Sequence, residues 1–507
     1  MKARAAVGPV ARFTGSWRAL PFEAILIGIG LFAILAAFVG ADPSTQVTAS
    51  TSPFTDEAFN TVNARNLLQF GSWSTDQWNL NLVNLPFSLL EAIWFRLVGV
   101  GIVQARLIAI ACVSLCAAAI TGSMRGVVGR RVAVFAGLAF ATNGLVLVYG
   151  RMAFLEDLVL VALTLGTLAL ARDDRLTGRW GLVSGICYGV AIGTKPSAAF
   201  AVFGVFLAVV ILAYRDKAIR RWAVGAGAAI ALTGAIWAVF VWLPNRDAVA
   251  MDLKIWAPIA IRLAPADAVR SIGGYFVRDN DHVFGSLLGP LAALGAAGII
   301  ALAALRHRIG RAEARLALVS IGWLSVGFAI LLVASYRPNR YVVPLVPPLA
   351  ILAALGLNAV LLWLRERTST DSTTRSSVRR AAPALVLVVT LIAVAPGLIS
   401  YGSWARTATY NLPDIQARFA AAVPDGARVA GRESALFLMR SKAVTLITQP
   451  VGGAANAGDL YVQGVRLYVV PIDDSAPPGV PAATWAARQK LICGEYGGVT
   501  ECLFRVP

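Results

Sequence analysis

Two adjacent carboxylates, Asp56 and Glu57, stand at the start of the segment TDEAFNTVNARNLLQFGSW (55–73). Thr55 suits a helix cap, and apolar residues recur after it at helical spacing, which predicts a short helix that begins at the acidic pair. Because adjacent side chains on a helix point about 100° apart, one carboxylate can accept a proton from a nucleophile while the other supports it. The alternative is that both acids only complement the positive N-terminus of the helix.

A second charged cluster lies in GRMAFLEDL (150–158), which carries Arg151, Glu156 and Asp157 between two apolar stretches. Charged groups beside hydrocarbon are costly unless they pair with one another or bind something. The cluster is therefore explained either by an internal ion pair between Arg151 and Asp157 or by a role in substrate binding.

Basic side chains at the ends of other apolar stretches are candidates for binding an anion. Lys195 lies in IGTKPSA, and SYRPNRYVVPLVPPLA (335–350) places two arginines beside a tyrosine. Guanidinium groups match phosphate oxygens well, and basic residues on the outer side of a membrane go against the usual orientation rule. For Lys195, an ammonium that only extends to the membrane surface is the alternative. The candidates are Arg106, Lys195, Arg337, Arg340 and the adjacent Tyr341.

His282, in RDNDHVFG, is one of only two histidines in the chain. Its imidazole is compatible with a general base, a metal ligand or a solvated loop residue. Neither His282 nor His307 lies in a cluster with zinc-ligand spacing, and no glycine-rich phosphate loop stands out. The sequence therefore offers His282 as a candidate for substrate binding and predicts no metal site.

These residues belong to a chain with the composition of a membrane protein. Of its 507 residues, 58% are hydrophobic and only 14% are charged, whereas soluble domains carry about 25% charged residues. Apolar stretches long enough to cross about 30 Å of hydrocarbon recur along the chain. This pattern excludes a soluble enzyme, a disordered scaffold and a transmembrane β-barrel.

The distribution of Lys and Arg predicts the topology. Six joining segments hold 23 of the 45 basic residues, so the positive-inside rule places these segments and the N-terminus in the cytoplasm. Because this topology accounts for the basic residues, the net charge of +18 does not indicate a nucleic-acid partner. Residues 86–101 are then predicted to form an interfacial helix, because a spanning one would invert every later loop. The first span is predicted to be an uncleaved anchor. The predicted spans are 22–40, 106–123, 132–149, 158–171, 181–194, 197–214, 223–243, 285–305, 316–335, 343–364 and 384–402, and the six segments are 1–21, 124–131, 172–180, 215–222, 306–315 and 365–382.

The composition changes after residue 402. Residues 427–448 read as strand, helix and strand, and 465–474 as a further strand, which predicts a small α/β domain on the outer side. In LICGEYGGVTECLF, a type I′ turn at the two glycines places Cys493 directly opposite Cys502, where a disulfide can bridge them in an oxidising compartment. Two free thiols are the alternative. Cys112, Cys116 and Cys187 are predicted to be packing residues.

Four motifs in this order resemble the GT-C glycosyltransferase superfamily, in particular its protein O-mannosyltransferases and lipid A aminoarabinose transferases. They are DEAFNTVNARNLLQFGSW, RMAFLED, GTKP and RPNRYVVPLVPPLA. The chain departs from the pattern at NLVNLPFS (81–88), where relatives often have a doubled proline with a charged or histidine neighbour. The resemblance covers most of residues 22–364 in architecture and agrees with the fold that the sequence predicts. That fold is a polytopic α-helical membrane protein, GT-C-like, of about 11 transmembrane helices, with a catalytic domain at 1–402, outer loop 41–105 included, and a small α/β extracytoplasmic domain at 403–507.

The resemblance also implies a reaction. A polyprenyl-phosphate-linked monosaccharide would be the donor, and an inverting transfer would take the sugar to a hydroxyl of a cell-envelope glycan, lipid or protein. Asp56 would be the general base, and Arg106, Lys195, Arg337 and Arg340 would stabilise the leaving phosphate. No cofactor is expected, although Glu156 and Asp157 are acidic residues that could bind a divalent cation. Further substrate-binding residues would be Glu57, Arg151, Glu156, Asp157, His282 and Tyr341.

Two other functions fit a polytopic chain of this kind. A transporter or lipid-linked sugar flippase usually has ionisable groups or broken helices at the bilayer midplane, whereas here the charges gather at the outer ends of spans. In a non-enzymatic assembly or receptor subunit, the C-terminal residues would carry the function and Asp56 would have no catalytic role. The sequence favours the glycosyltransferase, in the inner membrane of a bacterium with its N-terminus in the cytoplasm and its C-terminus outside.

Overall fold

The computed structural model describes most of the chain, and its regular structure is mainly helical. The residues described are 21–43, 56–73, 84–171, 178–214, 216–247, 249–250, 289–306, 310–333, 339–367, 372–431, 433–446, 460–472, 476–477 and 479–507. The helices up to the C-terminal region are α1 (Phe22–Ala36), α2 (Asp56–Phe70), α3 (Leu85–Val98), α4 (Ile102–Val128), α5 (Arg130–Ala141), α6 (Gly144–Tyr149), α7 (Leu155–Leu168), α8 (Gly178–Thr194), α9 (Ala198–Ala213), α10 (Lys217–Trp237), α11 (Gly289–Ala304), α12 (Arg311–Val333), α13 (Val346–Arg367) and α14 (Ser372–Ala405).

Five helices in the part of the chain that the structure describes are long and apolar enough to cross a membrane. Three shorter apolar helices accompany them, and every predicted span contains helix, so the chain is a multi-pass membrane protein. The count of eleven spans and their orientation stay predictions. The five candidate spans are Ile102–Val128, Lys217–Trp242, Arg311–Leu332, Asn339–Glu366 and Ala381–Ala405, and the shorter helices are Phe22–Ala36, Ala198–Ala213 and Pro290–Ala304.

The sequence prediction of one continuous helix over 132–149 is wrong. Helix α5 ends at Ala141 and α6 begins at Gly144. Asn143 lies between them with an extended backbone, and its side chain accepts a hydrogen bond from the Leu145 amide at 3.1 Å. A cap of this kind starts a new helix, because it satisfies an amide that has no partner in the first turn. Helix α6 then ends at Tyr149, two residues before Arg151.

Glycines bring α8 and α10 into close contact. A Cβ built on Gly185 would meet the carbonyl oxygen of Ala226 and would lie 2.6 Å from the Cβ of Ala229. Gly181 and Gly189 face the same helix in the same way. Small residues at a spacing of four let helix backbones approach closely. In lipid the hydrophobic effect does not drive helices together, so this close van der Waals packing stabilises their association.

We expect Gly185→Ala to lower the thermal unfolding midpoint of the detergent-solubilised protein, because overpacking at such a contact costs about 1–3 kcal/mol. The matched control is Gly227→Ala on α10, where a Cβ would meet nothing within 4 Å. That variant should unfold at the wild-type temperature or slightly above it, since alanine favours helix. Equal midpoints for the two variants would contradict the close contact.

Helix α3 has the two faces expected of a helix that lies along a membrane surface. Ser88, Glu91 and Phe95 are buried, whereas Ile93 and Leu97 are 64% and 74% exposed. An interfacial helix at 86–101 would have such an exposed apolar stripe opposite a buried face, and its place at the membrane surface stays a prediction. The segment packs on α2 and on the start of α4, and so lies beside the acidic pair.

The C-terminal α/β unit, which we define as Leu412–Pro507, contains one five-stranded sheet. Its strands lie in the order β2-β1-β3-β5-β4, with β1 parallel to β2 and β3, and β5 antiparallel to β3 and β4. Helix α15 and the parallel pairing were not predicted from the sequence. The elements are α15 (Leu412–Ala422), β1 (Arg428–Gly431), α16 (Ser434–Phe437), β2 (Val444–Leu446), β3 (Leu467–Pro471), α17 (Ala482–Ala486), β4 (Gln489–Tyr496) and β5 (Val499–Arg505).

The β4–β5 hairpin has the register that the sequence predicts. Gly497 and Gly498 both have positive φ, 59° and 80°, as a type I′ turn requires. Tyr496 therefore pairs with Val499, and Cys493 pairs with Cys502, with which it forms a disulfide. The disulfide joins the edge strand β4 to its neighbour β5.

Candidate functional site

Six of the charged residues singled out by the sequence converge where four elements meet. Asp56 and Glu57 form the first turn of α2, and Glu156 and Asp157 the first turn of α7. Lys195 follows the C-terminus of α8, and a 3₁₀ turn over Asn339–Leu345 carries the late arginine and tyrosine. Residues more than 280 positions apart thereby share one site.

An ion-pair network joins two carboxylates and two cations. Arg340 binds Asp56 through Nη2, and its Nε lies 3.3 Å from Oε1 of Glu156. The same Oε1 accepts a hydrogen bond of 2.6 Å from Nζ of Lys195. The Asp56 side chain is the most accessible of the four, at 34% exposed, whereas Glu156 is 4% exposed. The accessible carboxylate of Asp56 is thus paired with Arg340, and Arg340 is positioned in turn by the buried carboxylate of Glu156.

Aromatic rings hold the two cations of this network. The ammonium of Lys195 lies 3.7 Å from the ring centroid of Tyr341. The Arg340 guanidinium carbon lies 5.3 Å from the same ring and 5.6 Å from that of Phe154. Cation–π contacts of this length orient a charge while leaving its outer side available. Phe154 was not singled out by the sequence, because an aromatic residue there is equally compatible with packing.

A second, fully buried pair lies behind the network. Both side chains of Glu57 and Arg106 are inaccessible to solvent. Glu57 accepts from Nε and Nη2 of Arg106 at 2.8 and 2.7 Å, and its Oε1 also accepts from the Ala153 amide at 2.9 Å. The pair therefore ties the first turn of α2 to the segment that leads into α7.

All five N–H groups of Arg106 are used within the protein. Besides the two that bind Glu57, Nη1 donates to the carbonyl oxygens of Val39 and Ala41 at 2.8 and 2.9 Å, and Nη2 also donates to the hydroxyl of Tyr496 at 3.2 Å. A guanidinium has five such donors. Arg106 was predicted to bind phosphate, and in this structure each of its donors has a partner within the protein.

Arg151 likewise faces the protein. Its Nη1 donates to the carbonyl oxygens of Phe38 and Ala41 at 3.0 and 2.6 Å, and its guanidinium lies 4.4 Å from the ring centroid of Trp404. The ion pair with Asp157 that was considered for it does not form. Arg151 joins the segment after α1 to α14 and to the site.

Asp157 is 1% exposed, and neither of its carboxylate oxygens has a partner within the described residues. The negative charges of Glu156 and Glu57 both act on it. A buried carboxyl without a partner is costly unless it is protonated or meets a ligand. Asp157 is the one acid of the four at this site that no cation in the described part of the chain neutralises.

Two predicted site residues, His282 and Arg337, lie outside the described residues. Within the described ranges, no three His, Cys, Asp or Glu side chains form a group that could hold a metal ion. Tyr496 was missed by the sequence analysis, because nothing local to a hairpin indicates contact with a helix encoded 390 residues earlier. Burial raises the pKa of Tyr496 well above its usual range, so its hydroxyl stays protonated.

Comparison with known proteins gives one family match. Residues 86–242 match the family model described as dolichyl-phosphate-mannose-protein mannosyltransferase. The matched range contains Arg106, the 150–158 cluster and Lys195, but neither Asp56 nor Arg340. No curated protein sequence matches the chain.

Solved structures match over nearly the whole chain. ArnT from Cupriavidus metallidurans, in a crystal structure bound to undecaprenyl phosphate, has a TM-score of 0.62 at 14% identity, over 94% of this chain and 97% of that one. The archaeal oligosaccharyltransferase AglB from Archaeoglobus fulgidus, in complex with an inhibitory peptide and a dolichol-phosphate, has a TM-score of 0.56 at 13% identity, over 89% of this chain and 70% of that one. At these identities the likeness is one of fold.

Proposed function

We propose that this chain, which has the GT-C fold, is a glycosyltransferase that moves a hexosyl or pentosyl group from a polyprenyl phosphate to an acceptor hydroxyl, with inversion at the anomeric carbon. The observation that carries the proposal is the network in which Arg340 and Lys195 bring Asp56 and Glu156 together at one partly accessible site. A family of dolichyl-phosphate-mannose transferases and two structures bound to polyprenyl phosphates support this class of donor.

The network contains what the reaction requires. Asp56 accepts the proton of the acceptor hydroxyl while the hydroxyl oxygen attacks the anomeric carbon. The bond from that carbon to the phosphate oxygen breaks, and its electron pair stays on the phosphate, which gains a second negative charge. Arg340 and Lys195 stabilise that charge more strongly in the transition state than in the ground state.

The pairing of Asp56 with Arg340 connects donor binding to catalysis. A phosphate at Arg340 competes for the N–H groups that bind Asp56 in this structure. Donor binding therefore leaves an oxygen of Asp56 available for the acceptor hydroxyl. Glu156 keeps Arg340 and Lys195 in place during the exchange, because it is buried and binds both.

We place this site on the outer face of a bacterial inner membrane, with the N-terminus in the cytoplasm and the C-terminal α/β unit outside. Support comes from the basic residues of the joining segments and from the disulfide between Cys493 and Cys502. The acceptor there is a hydroxyl of a cell-envelope glycan, lipid or protein, and the partners are membrane lipids and the lipid-linked donor.

The experiment that tests the function uses the full chain in liposomes with radiolabelled polyprenyl-phosphate monosaccharides, offered from either side. Label should pass to an envelope extract or to a hydroxyl acceptor, and free polyprenyl phosphate should appear in equal amount. Movement of intact donor across the bilayer without release of polyprenyl phosphate would instead identify a flippase. Absence of both results with hexosyl and pentosyl donors would contradict the proposal.

Chelation of divalent cations is expected to leave the transfer rate within about twofold of the untreated protein, because cationic side chains already occupy the positions at which a metal would stabilise the phosphate. Asp56, Glu57 and Glu156 are each paired with Lys or Arg. Transfer should be measured with EDTA, and again after addition of Mg²⁺ or Mn²⁺. A loss of activity that added metal restores would show that Asp157 and its neighbours hold a cation.

A further inference from the structure

The C-terminal α/β unit is joined to the helix that carries Asp56 by a buried arginine. Arg65, on α2, has no solvent-exposed surface. Its Nη2 donates to the carbonyl oxygens of Ser441 and Ala443 at 2.8 and 2.7 Å, and its Nε donates to that of Met439 at 3.0 Å. Burial lowers the pKa of Arg65 to about 10, which keeps it charged at neutral pH. One side chain thus binds the whole turn between α16 and β2.

An apolar core continues across the same junction. Ala58 and Val62 of α2 are buried in one cluster with Phe437, Tyr496 and Leu503 of the α/β unit. The rings of Phe437 and Tyr496 meet edge to face, with centroids 6.1 Å apart. One face of the sheet therefore packs against α2, the helix that carries Asp56. This packing fixes the position of α2 relative to the β4–β5 hairpin.

Tyr496 extends from this core to the buried pair behind the ion-pair network. Its hydroxyl accepts a hydrogen bond from Nη2 of Arg106 at 3.2 Å, the same nitrogen that binds Glu57 at 2.7 Å. Glu57 in turn holds the amide of Ala153 at 2.9 Å. A continuous set of hydrogen bonds therefore runs from the hairpin to both segments that carry the acids of the site.

We propose that the hydroxyl of Tyr496 is a positioning group for the transfer reaction, which it serves by holding Arg106 in the orientation that clamps Glu57 between α2 and the 150–154 segment. The inference rests on the proposed function for the reaction. Without the hydroxyl, one N–H of a fully buried guanidinium has no acceptor, so Arg106 turns to find one. Glu57 then holds the Ala153 amide less firmly, and the neighbouring Asp56 loses its alignment with the acceptor.

This role predicts a particular kinetic signature. The donor phosphate binds Arg340 and Lys195, whereas the hydroxyl of Tyr496 bonds to Arg106. Misalignment of Asp56 affects the step in which the hydroxyl loses its proton, and not the binding of the donor. We therefore expect Tyr496→Phe to lower kcat by about tenfold, as the loss of one hydrogen bond to a charged group does, with the KM for donor unchanged.

The matched control is Tyr468→Phe. Tyr468 is equally buried in the same sheet, on β3, but belongs to the apolar cluster on the other face. Full-length wild type and both variants should be compared in nanodiscs by transfer kinetics, thermal unfolding and hydrogen–deuterium exchange at the Ala153 amide. We expect Tyr496→Phe alone to lower kcat and to speed exchange at Ala153, with the two variants unfolding at similar temperatures.

Two results would overturn the proposal. One is wild-type kcat and wild-type exchange in Tyr496→Phe. The other is equal loss of kcat in both variants together with a lower unfolding temperature, which would show a general effect on the fold. If the wild type transfers no sugar, the proposed function fails, while exchange at Ala153 still decides whether the hydroxyl holds this segment.

Discussion

Replacing Asp56 by Asn is expected to lower the transfer rate by about 10²–10⁴-fold, the usual contribution of a positioned general base. The amide has nearly the shape of the carboxylate and can remain beside Arg340, but it cannot accept the proton of the acceptor hydroxyl. Donor affinity should not fall and is expected to rise slightly, because Lys195 and Arg340 both remain and the neutral amide competes less strongly with phosphate for Arg340. The measurement is initial-rate kinetics with radiolabelled donor and saturating acceptor.

The control for this variant is Asp414→Asn on α15. Asp414 also forms an ion pair with an arginine, Arg418, at 3.3 Å, but its side chain is 70% exposed and lies outside the site. Its loss should leave the rate unchanged. If Asp56→Asn transfers sugar as fast as the control, the acid only complements the N-terminus of α2, and the general base must be sought elsewhere.

Arg340→Gln is expected to reduce kcat by about 10²–10³-fold, as the loss of one group that stabilises developing negative charge does. Arg340 is the only cation in the described part of the chain that contacts both Asp56 and Glu156. Its removal takes positive charge from the leaving phosphate and also separates the two acids. Both kcat and the affinity for donor should therefore fall, in contrast to Asp56→Asn.

The comparison variant is Arg418→Gln, which removes the same charge from an exposed ion pair of the α/β unit. Its rate should match the wild type. Only a small fall in unfolding temperature is expected, because exposed pairs contribute little to stability, although Arg418 also donates to the carbonyl oxygen of Cys493 at 2.6 Å. Binding of polyprenyl phosphate, followed by the quenching of tryptophan fluorescence, separates the two effects of Arg340. Normal donor affinity in Arg340→Gln would show that Lys195 alone holds the phosphate.

The parts of the structure that local signals determine were predictable from the sequence. The acid pair with its cap residue predicts where α2 begins, and two adjacent glycines predict the register that brings Cys493 to Cys502. Both depend on the conformation of a few neighbouring residues. The break between α5 and α6 was missed, because a run of apolar residues hides the capping role of Asn143.

The roles of the charged residues were less predictable, since they depend on contacts between distant segments. The sequence shows that Asp56 and Glu57 point in different directions, but not that one meets Arg340 and the other Arg106. Arg106 and Arg340 look alike in sequence, yet the first is saturated by protein groups and the second is partly accessible. Burial distinguishes an arginine whose donors are all used within the protein from one that a substrate can reach, and burial follows from packing.

The long separation between Tyr496 and the helix it supports has a consequence for the order of events during synthesis. The two ends of the hydrogen bond to Arg106 are 390 residues apart, which a ribosome covers in roughly 20–80 s. Once Arg340 has been made, the nascent chain contains the acids and cations of the network, but the hydroxyl of Tyr496 is still 156 residues away. On the role proposed for Tyr496, we expect sugar transfer to reach its full rate only after the C-terminal α/β unit has folded.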